Sequence, residues 1–219
     1  MKKNFEIIKN SPLFKDIPFD DFEPMFDCLG AKAVEYKKNQ MILLSGDAVN
    51  SVGLVLSGSV KIIKEDEQGN AVLLTELAAP ELFAEVFACA GIKHSPVTVQ
   101  ACQNCEILFM DYKKIITSCS SACPFHAKLI ENMLSLLAKK NLLLNQKIDV
   151  LSKRSIREKL FCFFDLQRGS NKKFTVPYNR EEMAHYLCVD RSALSNELGK
   201  MRDEGLIQFH KNEFELYYL

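Results

Sequence analysis

The arginines are the side chains whose placement says most about chemistry. All of them lie after residue 153, at Arg154, Arg157, Arg168, Arg180, Arg191 and Arg202. A guanidinium group is a rigid planar fork that holds a phosphate or a base edge through two hydrogen bonds, which lysine cannot do. Among the first 153 residues, lysine is the only strong cation. This asymmetry favours a nucleic-acid contact in the C-terminal part, and chance drift in codon usage is the alternative.

Polar residues at helical spacing follow Asp190. A helix beginning near Arg191 would expose one set of side chains on a single side, namely Arg191, Ser192, Ser195, Asn196 and Lys200. Arginine can bridge O6 and N7 of guanine, and asparagine can bridge N6 and N7 of adenine. These types at this spacing predict a surface that reads base edges in DNA.

A second short helix is expected just before this one. Asn179 is a good N-cap residue, and Glu182, three positions later, could complete a capping box. Arg180 at the start of this helix would suit a DNA phosphate. Asn179 and Arg180 therefore join the predicted DNA-binding residues.

The elements around these residues predict a winged helix-turn-helix. The two helices are separated by a short turn at residues 188–190, and two strands are expected near residues 206–209 and 214–218. The residues with buried spacing are Ala184, Leu187, Val189, Leu194 and Leu198. A short edge strand at residues 174–178 precedes them, since Pro177 cannot donate to a ladder. The alternative is a small helical core with a solvated polar face.

A long helix is predicted from Pro124 to about Leu151, without internal Pro or Gly. Apolar residues recur at alternating gaps of four and three, which indicates a coiled-coil seam with one polar member. The seam consists of Ile130, Leu134, Leu137, Asn141, Leu144, Ile148 and Leu151. A second stripe would face the chain's own sheet domain and holds Leu129, Met133, Leu136, Leu143 and Val150. We expect a homodimer through the seam, and a helix buried within one subunit is the alternative.

The region before this helix has the sequence pattern of an antiparallel β domain. Short apolar runs alternate with Gly, Asn and Asp between about Ala31 and Lys113, at spacings of 8–12 residues that predict a sandwich or barrel. Gly69 and Asn70 predict an exposed hairpin tip. Residues 4–29 are expected to be helical, with breaks at their prolines.

The eight cysteines and four histidines give weaker signals. Cys102 and Cys105 resemble a metal or redox motif, but on a continuous strand they would point to opposite faces, and only a hairpin turn would bring them together. Cys119 and Cys123 are one helical turn apart, next to the disrupting Pro124. We predict small buried thiols and no metal site, with a redox switch left open. No nucleophile elbow, P-loop or dinucleotide fingerprint occurs, so no enzymatic activity is expected.

Composition narrows the class of protein. The chain has 219 residues, 47% hydrophobic and 26% charged, with 28 cationic and 28 acidic residues. This composition excludes intrinsic disorder and a small disulfide scaffold, and the length favours two compact domains or one large one. Neither a membrane-spanning run nor a signal peptide is recognisable. We therefore expect a cytoplasmic protein with reduced thiols and no membrane contact.

The sequence resembles the Crp/Fnr family of bacterial transcription regulators over about 190 residues. The sensor-domain motifs are Ser45-Gly46-Asp47, residues 54–62 (LVLSGSVKI), Ala84-Glu85 and residues 96–101 (PVTVQA). The DNA-binding motifs are residues 179–184 (NREEMA), 190–198 (DRSALSNEL) and 204–207 (EGLI). The resemblance implies an α+β fold with an N-terminal antiparallel β-roll, a long dimerisation helix and a C-terminal winged helix-turn-helix. It also implies double-stranded DNA and RNA polymerase as partners.

Departures from the family concern the effector. Cyclic-AMP-binding members hold the cyclic phosphate with a Gly-Glu pair, matched here by Ala84-Glu85, and an Arg-Ser pair, which falls near Ser95-Pro96 with His94 before it. The polar pair that contacts adenine aligns near Leu142-Leu143. No arginine exists in the sheet domain. A cyclic phosphate bound there would therefore lack a charge-assisted bidentate contact, which contributes on the order of 1.5–3 kcal/mol or more to binding. We therefore predict an effector other than cyclic AMP.

Two further family features differ here. Iron–sulfur members carry a cysteine cluster before the roll, but residues 1–27 contain no cysteine. In the reading helix, an Arg-Glu pair and a later arginine are matched by Arg191-Ser192 and Asn196, so the operator sequence should differ.

These inferences predict three parts: a sensor domain over residues 1–123, a dimerisation helix over 124–151 and a DNA-binding domain over 152–219. The expected function is that of an effector-responsive homodimeric regulator that binds a palindromic operator. A thiol-based redox regulator is the alternative, and a ligand-binding module whose helix-turn-helix contacts protein is a further rival. No cofactor is predicted, and a small-molecule effector is left open.

Overall fold

The structure of the chain, a computed structural model, describes residues 5–66, 68, 71–117 and 123–217. The predicted hairpin tip at Gly69-Asn70 and the thiol of Cys119 lie outside these residues. The chain forms two compact units, residues 1–138 and 139–219. Within the described ranges, no helix is both long and apolar enough to cross a bilayer.

The N-terminal segment is helical and interrupted, as its prolines predict. Helix α1 spans Phe5–Lys9 and α2 spans Phe22–Leu29, with single 3-10 turns at Pro12–Phe14 and Phe19–Asp21 between them. Four phenylalanine rings make edge-on and tilted contacts with centroids 5.2–5.9 Å apart, namely Phe5, Phe14, Phe22 and Phe26. This aromatic cluster attaches the segment to the main core of the first unit.

Two four-stranded antiparallel sheets form the first unit, which confirms the predicted β-roll class. The strands are β1 (Lys32–Tyr36), β2 (Met41–Leu43), β3 (Ser51–Ser57), β4 (Ser59–Glu65), β5 (Ala71–Ala78), β6 (Leu82–Phe83), β7 (Thr98–Ala101) and β8 (Cys105–Asp111). One sheet has the order β1-β8-β3-β6 and the other β2-β7-β4-β5. The short helices α3 (Glu85–Cys89) and α4 (Tyr112–Ile116) follow β6 and β8.

The turn between β3 and β4 requires glycine. Gly58 has φ +75°, and a β-carbon there would overlap the carbonyl oxygen of Asn104 and approach Cys105 Cβ to 2.8 Å. Both the backbone conformation and the close approach exclude a larger residue. This contact holds the β3–β4 turn against the β7–β8 turn.

Helix α5 spans Phe125–Ser152, one residue later at its start than predicted. Three members of the predicted second stripe, Leu129, Met133 and Leu136, are buried in the core of the first unit. The amide of Asn132 donates to the carbonyl oxygens of Leu13 (3.0 Å) and Lys15 (2.8 Å). These contacts bind the first half of α5 to the N-terminal segment.

The rest of the second stripe does not face the sheet domain, and this part of the prediction is wrong. Val150 is buried in the core of the second unit, and Leu143 is 64% exposed. The boundary between the two units falls within α5, so one helix supplies apolar residues to two separate cores.

The second unit has the predicted helix and hairpin order. It contains α6 (Ile156–Arg168), β9 (Lys173–Thr175), α7 (Arg180–Leu187), α8 (Arg191–Asp203), β10 (Ile207–His210) and β11 (Glu213–Leu216). The three strands form one antiparallel sheet in the order β10-β11-β9, which places β9 at an edge. Phe163, Phe164, Leu194 and Leu198 are buried at its core.

Candidate DNA-binding surface and effector pocket

Helix α7 begins with the predicted capping box. Asn179 Oδ1 accepts hydrogen bonds from the backbone N–H groups of Glu181 (2.9 Å) and Glu182 (3.0 Å), and Glu182 Oε2 accepts one from the N–H of Asn179 (2.8 Å). Asparagine therefore serves in the position usually held by Ser or Thr. The side-chain oxygen of Asn179 is committed to the helix start.

The turn between α7 and α8 is tight and left-handed. Cys188 has φ +51°, and the N–H of Val189 donates to the carbonyl of Ala184 (3.0 Å). The Lys159 ammonium donates to the carbonyl of Leu187 (3.0 Å), which satisfies one of the free carbonyls at the end of α7. These contacts fix the angle at which α8 leaves the turn.

Helix α8 is preceded by its N-cap Asp190, whose carboxylate accepts from the N–H groups of Ser192 (2.8 Å) and Ala193 (2.9 Å). The hydroxyl of Ser192 also donates to it, and these hydrogen bonds lower the pKa of Asp190. The helix therefore has a charged N-cap near its positive dipole end.

One side of α8 is buried and the opposite side is exposed. Leu194, Leu198 and Met201 belong to the core. The predicted reading residues Arg191, Ser192, Ser195, Asn196 and Lys200 are all exposed. The helix thus brings the five predicted side chains to one solvent-facing surface, which we call the α8 face.

The members of the α8 face differ in the hydrogen bonds they already make. The Ser195 hydroxyl donates to the carbonyl of Arg191 (2.9 Å), and the Ser192 hydroxyl is used by the N-cap. Lys200 Nζ lies 4.0 Å from a Glu197 carboxylate oxygen. Within the described ranges, the side chains of Arg191 and Asn196 have no hydrogen-bond partner. These two residues are therefore the ones whose donors remain available to a base edge.

Arg180 occupies a different position from the α8 face. Its guanidinium carbon lies 4.8 Å from the ring centroid of Phe209 and 5.1 Å from that of Phe214, in the hairpin strands β10 and β11. Burial lowers the pKa of Arg180. A cation on an aromatic face contributes to packing as well as to charge. Arg180 thus joins the start of α7 to the hairpin, and the predicted phosphate contact remains a prediction.

The sequence interpretation missed an ion-pair cluster that holds α8 in place. Arg157 on α6 donates to both carboxylate oxygens of Glu204 (2.7 and 2.8 Å) and to Glu197. This contact lowers the pKa of Glu204. The signal was weak, because only the spacing of Glu197 and Glu204 on one helix side pointed to a shared cation.

The predicted effector residues of the first unit have mixed environments. Ala84 has a left-handed backbone (φ +64°) directly before α3, and Glu85 is buried. The buried Ser95 hydroxyl donates to the carbonyl of Val97 (2.7 Å), while the exposed His94 Nδ1 lies 3.0 Å from the carbonyl oxygen of Gly46. Pro96 is exposed. The Ser95 hydroxyl hydrogen is therefore already used within the fold.

Helix α5 exposes most of the predicted seam. Leu134, Leu144 and Ile148 are 60–63% exposed in the single chain, and Ile130, Leu137 and Leu151 are partly buried. The exposed Asn141 accepts a hydrogen bond from Asn145 one turn later (2.7 Å). Leu142 and Leu143, predicted for the effector pocket, are also exposed.

Cys102 and Cys105 lie at the turn between β7 and β8 and not on one continuous strand. Strand β7 ends at Ala101 and β8 begins at Cys105, so the hairpin alternative for Cys102 and Cys105 is the observed one. Burial raises the pKa of Cys102 and of Cys105. A raised pKa keeps a thiol protonated and weakly nucleophilic.

A different group of residues was missed by the sequence interpretation. Cys28, Cys123 and His126 bring their ligand atoms within 4.8 Å of one another.

Comparison with protein-family models gives two matches along the chain. A cyclic nucleotide-binding domain model matches residues 33–121, and a Crp-like helix-turn-helix domain model matches residues 154–217. Together they cover more than half of the chain, and they flank α5. The second match includes α7, α8 and the hairpin.

Curated relatives and solved structures agree with these domains. Electron transport regulator A of Shewanella oneidensis is 26% identical over 184 residues, covering 78% of this chain and 69% of the relative. The fumarate and nitrate reduction regulatory protein of Escherichia coli K12 is 26% identical over 181 residues, with the same coverage of both chains.

The fold is shared with the catabolite activator protein of Thermus thermophilus (TM-score 0.54, 21% identity, 94% of each chain). It is also shared with the c-di-GMP-responsive regulator CLP of Xanthomonas campestris (TM-score 0.55, 18% identity, 90% of this chain and 100% of that one). With both domain models in order along one chain, this protein belongs to the Crp/Fnr family of DNA-binding transcription regulators.

Proposed function

We propose that two copies of the chain form a homodimer that binds a palindromic operator in the cytoplasm and responds to an effector other than cyclic AMP. The α8 face is the observation that carries the proposal. It is held by Asp190 at its start and by Arg157 near its end, and among the described residues the donors of Arg191 and Asn196 have no partner. A reading helix needs this combination of rigid support and unpaired polar side chains.

The homodimer rests on α5. Large apolar side chains spaced as a and d positions are exposed on it, and burying each against a partner helix stabilises the pair by roughly 1–2 kcal/mol. Asn141 at an a position would pair with its counterpart and select two parallel strands in register. A two-fold dimer then presents two α8 faces to half-sites about 34 Å apart.

The effector proposal rests on charge and backbone in the sheet domain. The first 153 residues contain no arginine, so no bidentate contact is available there for an anionic cyclic phosphate. Ala84 also places a β-carbon on a left-handed backbone where cyclic-AMP-binding members have glycine. One structural relative is named as c-di-GMP-responsive, so the shared fold accepts ligands of different chemistry. RNA polymerase is the expected partner once the operator is bound.

Three thiols of the first unit have a shifted pKa, and the direction of the shift argues against the redox alternative. Burial raises the pKa of Cys89, Cys102 and Cys105 in the first unit. Redox-sensing cysteines are usually exposed thiolates with lowered pKa. We therefore favour a ligand signal over oxidation of these three residues.

A DNA-binding titration tests the proposal. Operators selected from random double-stranded DNA would be labelled, and the full-length protein titrated at several salt concentrations. We expect a palindromic consensus and an affinity that falls by about 10³–10⁵-fold between 50 and 200 mM salt for 6–10 phosphate contacts.

The double variant Arg191→Ala/Asn196→Ala should lose the preference for the consensus. Arg168→Ala serves as the matched control, because Arg168 pairs with Asp165 on α6 rather than lying on α8. A protein that binds random and selected DNA equally, or with no salt dependence, would refute operator reading.

A further inference from the structure

We propose that Cys28, Cys123 and His126 form a binding site for one divalent transition-metal ion, best matched by Zn²⁺. The site lies in the first unit, apart from the α8 face, so it does not depend on the proposed DNA function. Cys28 belongs to α2, Cys123 directly precedes α5, and His126 lies in the first turn of α5. Folding brings together residues up to 98 positions apart.

The three ligand atoms lie close enough together for one metal ion to bind all of them after small movements. Cys28 Sγ lies 3.4 Å from His126 Nε2, and all three donor atoms lie within 4.8 Å of one another. With Zn–S near 2.3 Å and Zn–N near 2.0–2.1 Å, sulfur and nitrogen on one tetrahedral ion lie about 3.6 Å apart. An ion can therefore be placed between these donors with small side-chain movements.

The surroundings of the histidine also suit a metal ligand. His126 is 2% exposed, and its Nδ1 is buried with no hydrogen-bond partner in the described part of the chain. Its ring lies 4.7 Å from that of Phe125, which shields it on one side. A buried imidazole whose polar contact is a sulfur atom is poorly satisfied, and coordination to a metal would replace that weak contact with a strong one.

The donor set selects the kind of ion. Two thiolates and an imidazole are soft and borderline ligands, which suit Zn²⁺ and disfavour Mg²⁺ and Ca²⁺. Binding releases the two thiol protons to solvent and involves no electron transfer. Three protein ligands leave a fourth position for water or an exogenous donor, as in open zinc sites.

A bound ion would connect two elements that otherwise meet through packing. It would join α2 of the N-terminal segment to the first turn of α5, the helix that carries the exposed seam. Metal occupancy would therefore set the stability of the start of α5.

Metal titration of the reduced full-length protein tests the site. Zn²⁺ would be added in competition with a chromophoric chelator, and Co²⁺ would report geometry through its tetrahedral d–d bands and thiolate charge-transfer band. We expect one ion per chain and a cobalt spectrum of mixed sulfur and nitrogen ligation. Cys28→Ser and Cys123→Ser should each weaken Zn²⁺ binding by more than about 100-fold, since even outer partners of a metal ligand contribute 10–100-fold.

Cys89→Ser is the matched control, because Cys89 is a partly buried thiol of the same unit outside the cluster. It should retain wild-type stoichiometry and spectrum. The serine variants are near-isosteric, and circular dichroism verifies that they fold. The proposal fails if wild type binds less than a tenth of an ion per chain, if the double Cys28/Cys123 variant binds as wild type does, or if Cys28 and Cys123 form a disulfide in place of binding metal.

Discussion

At the scale of single residues, Arg191 is the strongest candidate for base readout. It is exposed at the first position of α8, and no hydrogen bond from its side chain is found among the described residues. We expect Arg191→Ala to weaken binding to the selected operator by ~1–3 kcal/mol and to relax one base position in each half-site.

Competition binding with single-base operator variants measures this change. Lys200→Ala is the matched comparison. If Lys200 contacts a phosphate, its loss should weaken binding to all sequences alike and reduce the salt slope by about one. If Arg191→Ala weakens every sequence equally, Arg191 contacts phosphate only.

Cys188 is a residue whose backbone conformation costs stability. It adopts φ +51° in the turn between α7 and α8 and is exposed, so its side chain contributes little packing. A left-handed conformation costs an L-residue roughly 1–2 kcal/mol, and glycine avoids this at an entropic cost of about 0.5–1 kcal/mol. We expect Cys188→Gly to raise the unfolding free energy by about 0.5–1 kcal/mol.

Thermal and urea unfolding of both forms measure this difference. Cys188→Ala is the control, since it removes the thiol but keeps the β-carbon and should stay near wild type. A destabilised glycine variant would show that the turn is not strained.

At the scale of elements, α5 combines two roles along one helix. Its first half packs in the first core through Leu129 and Met133, while Leu144 and Ile148 are exposed. We expect Leu144→Lys to shift the proposed homodimer toward monomer, because a charge would be buried at a d position in two copies. Sedimentation equilibrium measures the dissociation constant, which should rise by at least about 100-fold for a loss near 3 kcal/mol.

Gln146→Lys is the matched control, because Gln146 is exposed but lies off the seam. It should leave the dimer intact. If Leu144→Lys is as dimeric as wild type, association uses another surface.

At the scale of the whole molecule, acid should weaken the second unit through its hydrogen-bonded carboxylates. In the second unit, hydrogen bonds with Ser155 lower the pKa of Glu158, and Arg157 lowers that of Glu204, both from an ordinary value of 4.5. A carboxylate with a lowered folded pKa stabilises the fold fully above its unfolded pKa, and this contribution is lost as pH falls through the folded pKa. We expect the melting temperature of the second unit to decrease below about pH 4.5.

Circular dichroism melts between pH 3 and 7 measure this dependence. Glu158→Gln should lower the melting temperature at pH 7 and reduce its dependence on acid, whereas Glu213→Gln, at an exposed position of the hairpin, should not. An unchanged slope in Glu158→Gln would mean that ionisation of Glu158 does not contribute to the acid dependence.

The absence of arginine from the first 153 residues also has a whole-molecule consequence. We expect isothermal titration calorimetry to show no binding of cyclic AMP at micromolar concentration, because no guanidinium is available for the phosphate in that part of the chain. Introducing Ser95→Arg would not restore the site by itself, because it would remove the Ser95 hydroxyl that donates to the carbonyl of Val97 and because Leu142 and Leu143 still lack polar groups. Micromolar binding by the wild-type chain would contradict the effector proposal.

Local patterns were sufficient for much of this protein. Helix α5, the capping box at Asn179 and the polar face of α8 follow from spacing and capping, which are properties of neighbouring residues. The short strands between residues 32 and 111 were likewise indicated by alternating apolar runs and turns. Such features depend on interactions within a few turns or one hairpin, so the amino-acid order alone predicts them.

Long-range packing decided the rest. The Arg157–Glu204 ion pair, the burial of Val150 in the second core and the approach of Cys28 to His126 join residues that no periodicity relates. Leu143 has the same spacing as the buried members of its stripe, yet it is exposed, because the core that covers the first half of α5 does not extend to it. Spacing specifies which side chains share a helix face, but only the tertiary structure decides what lies opposite that face.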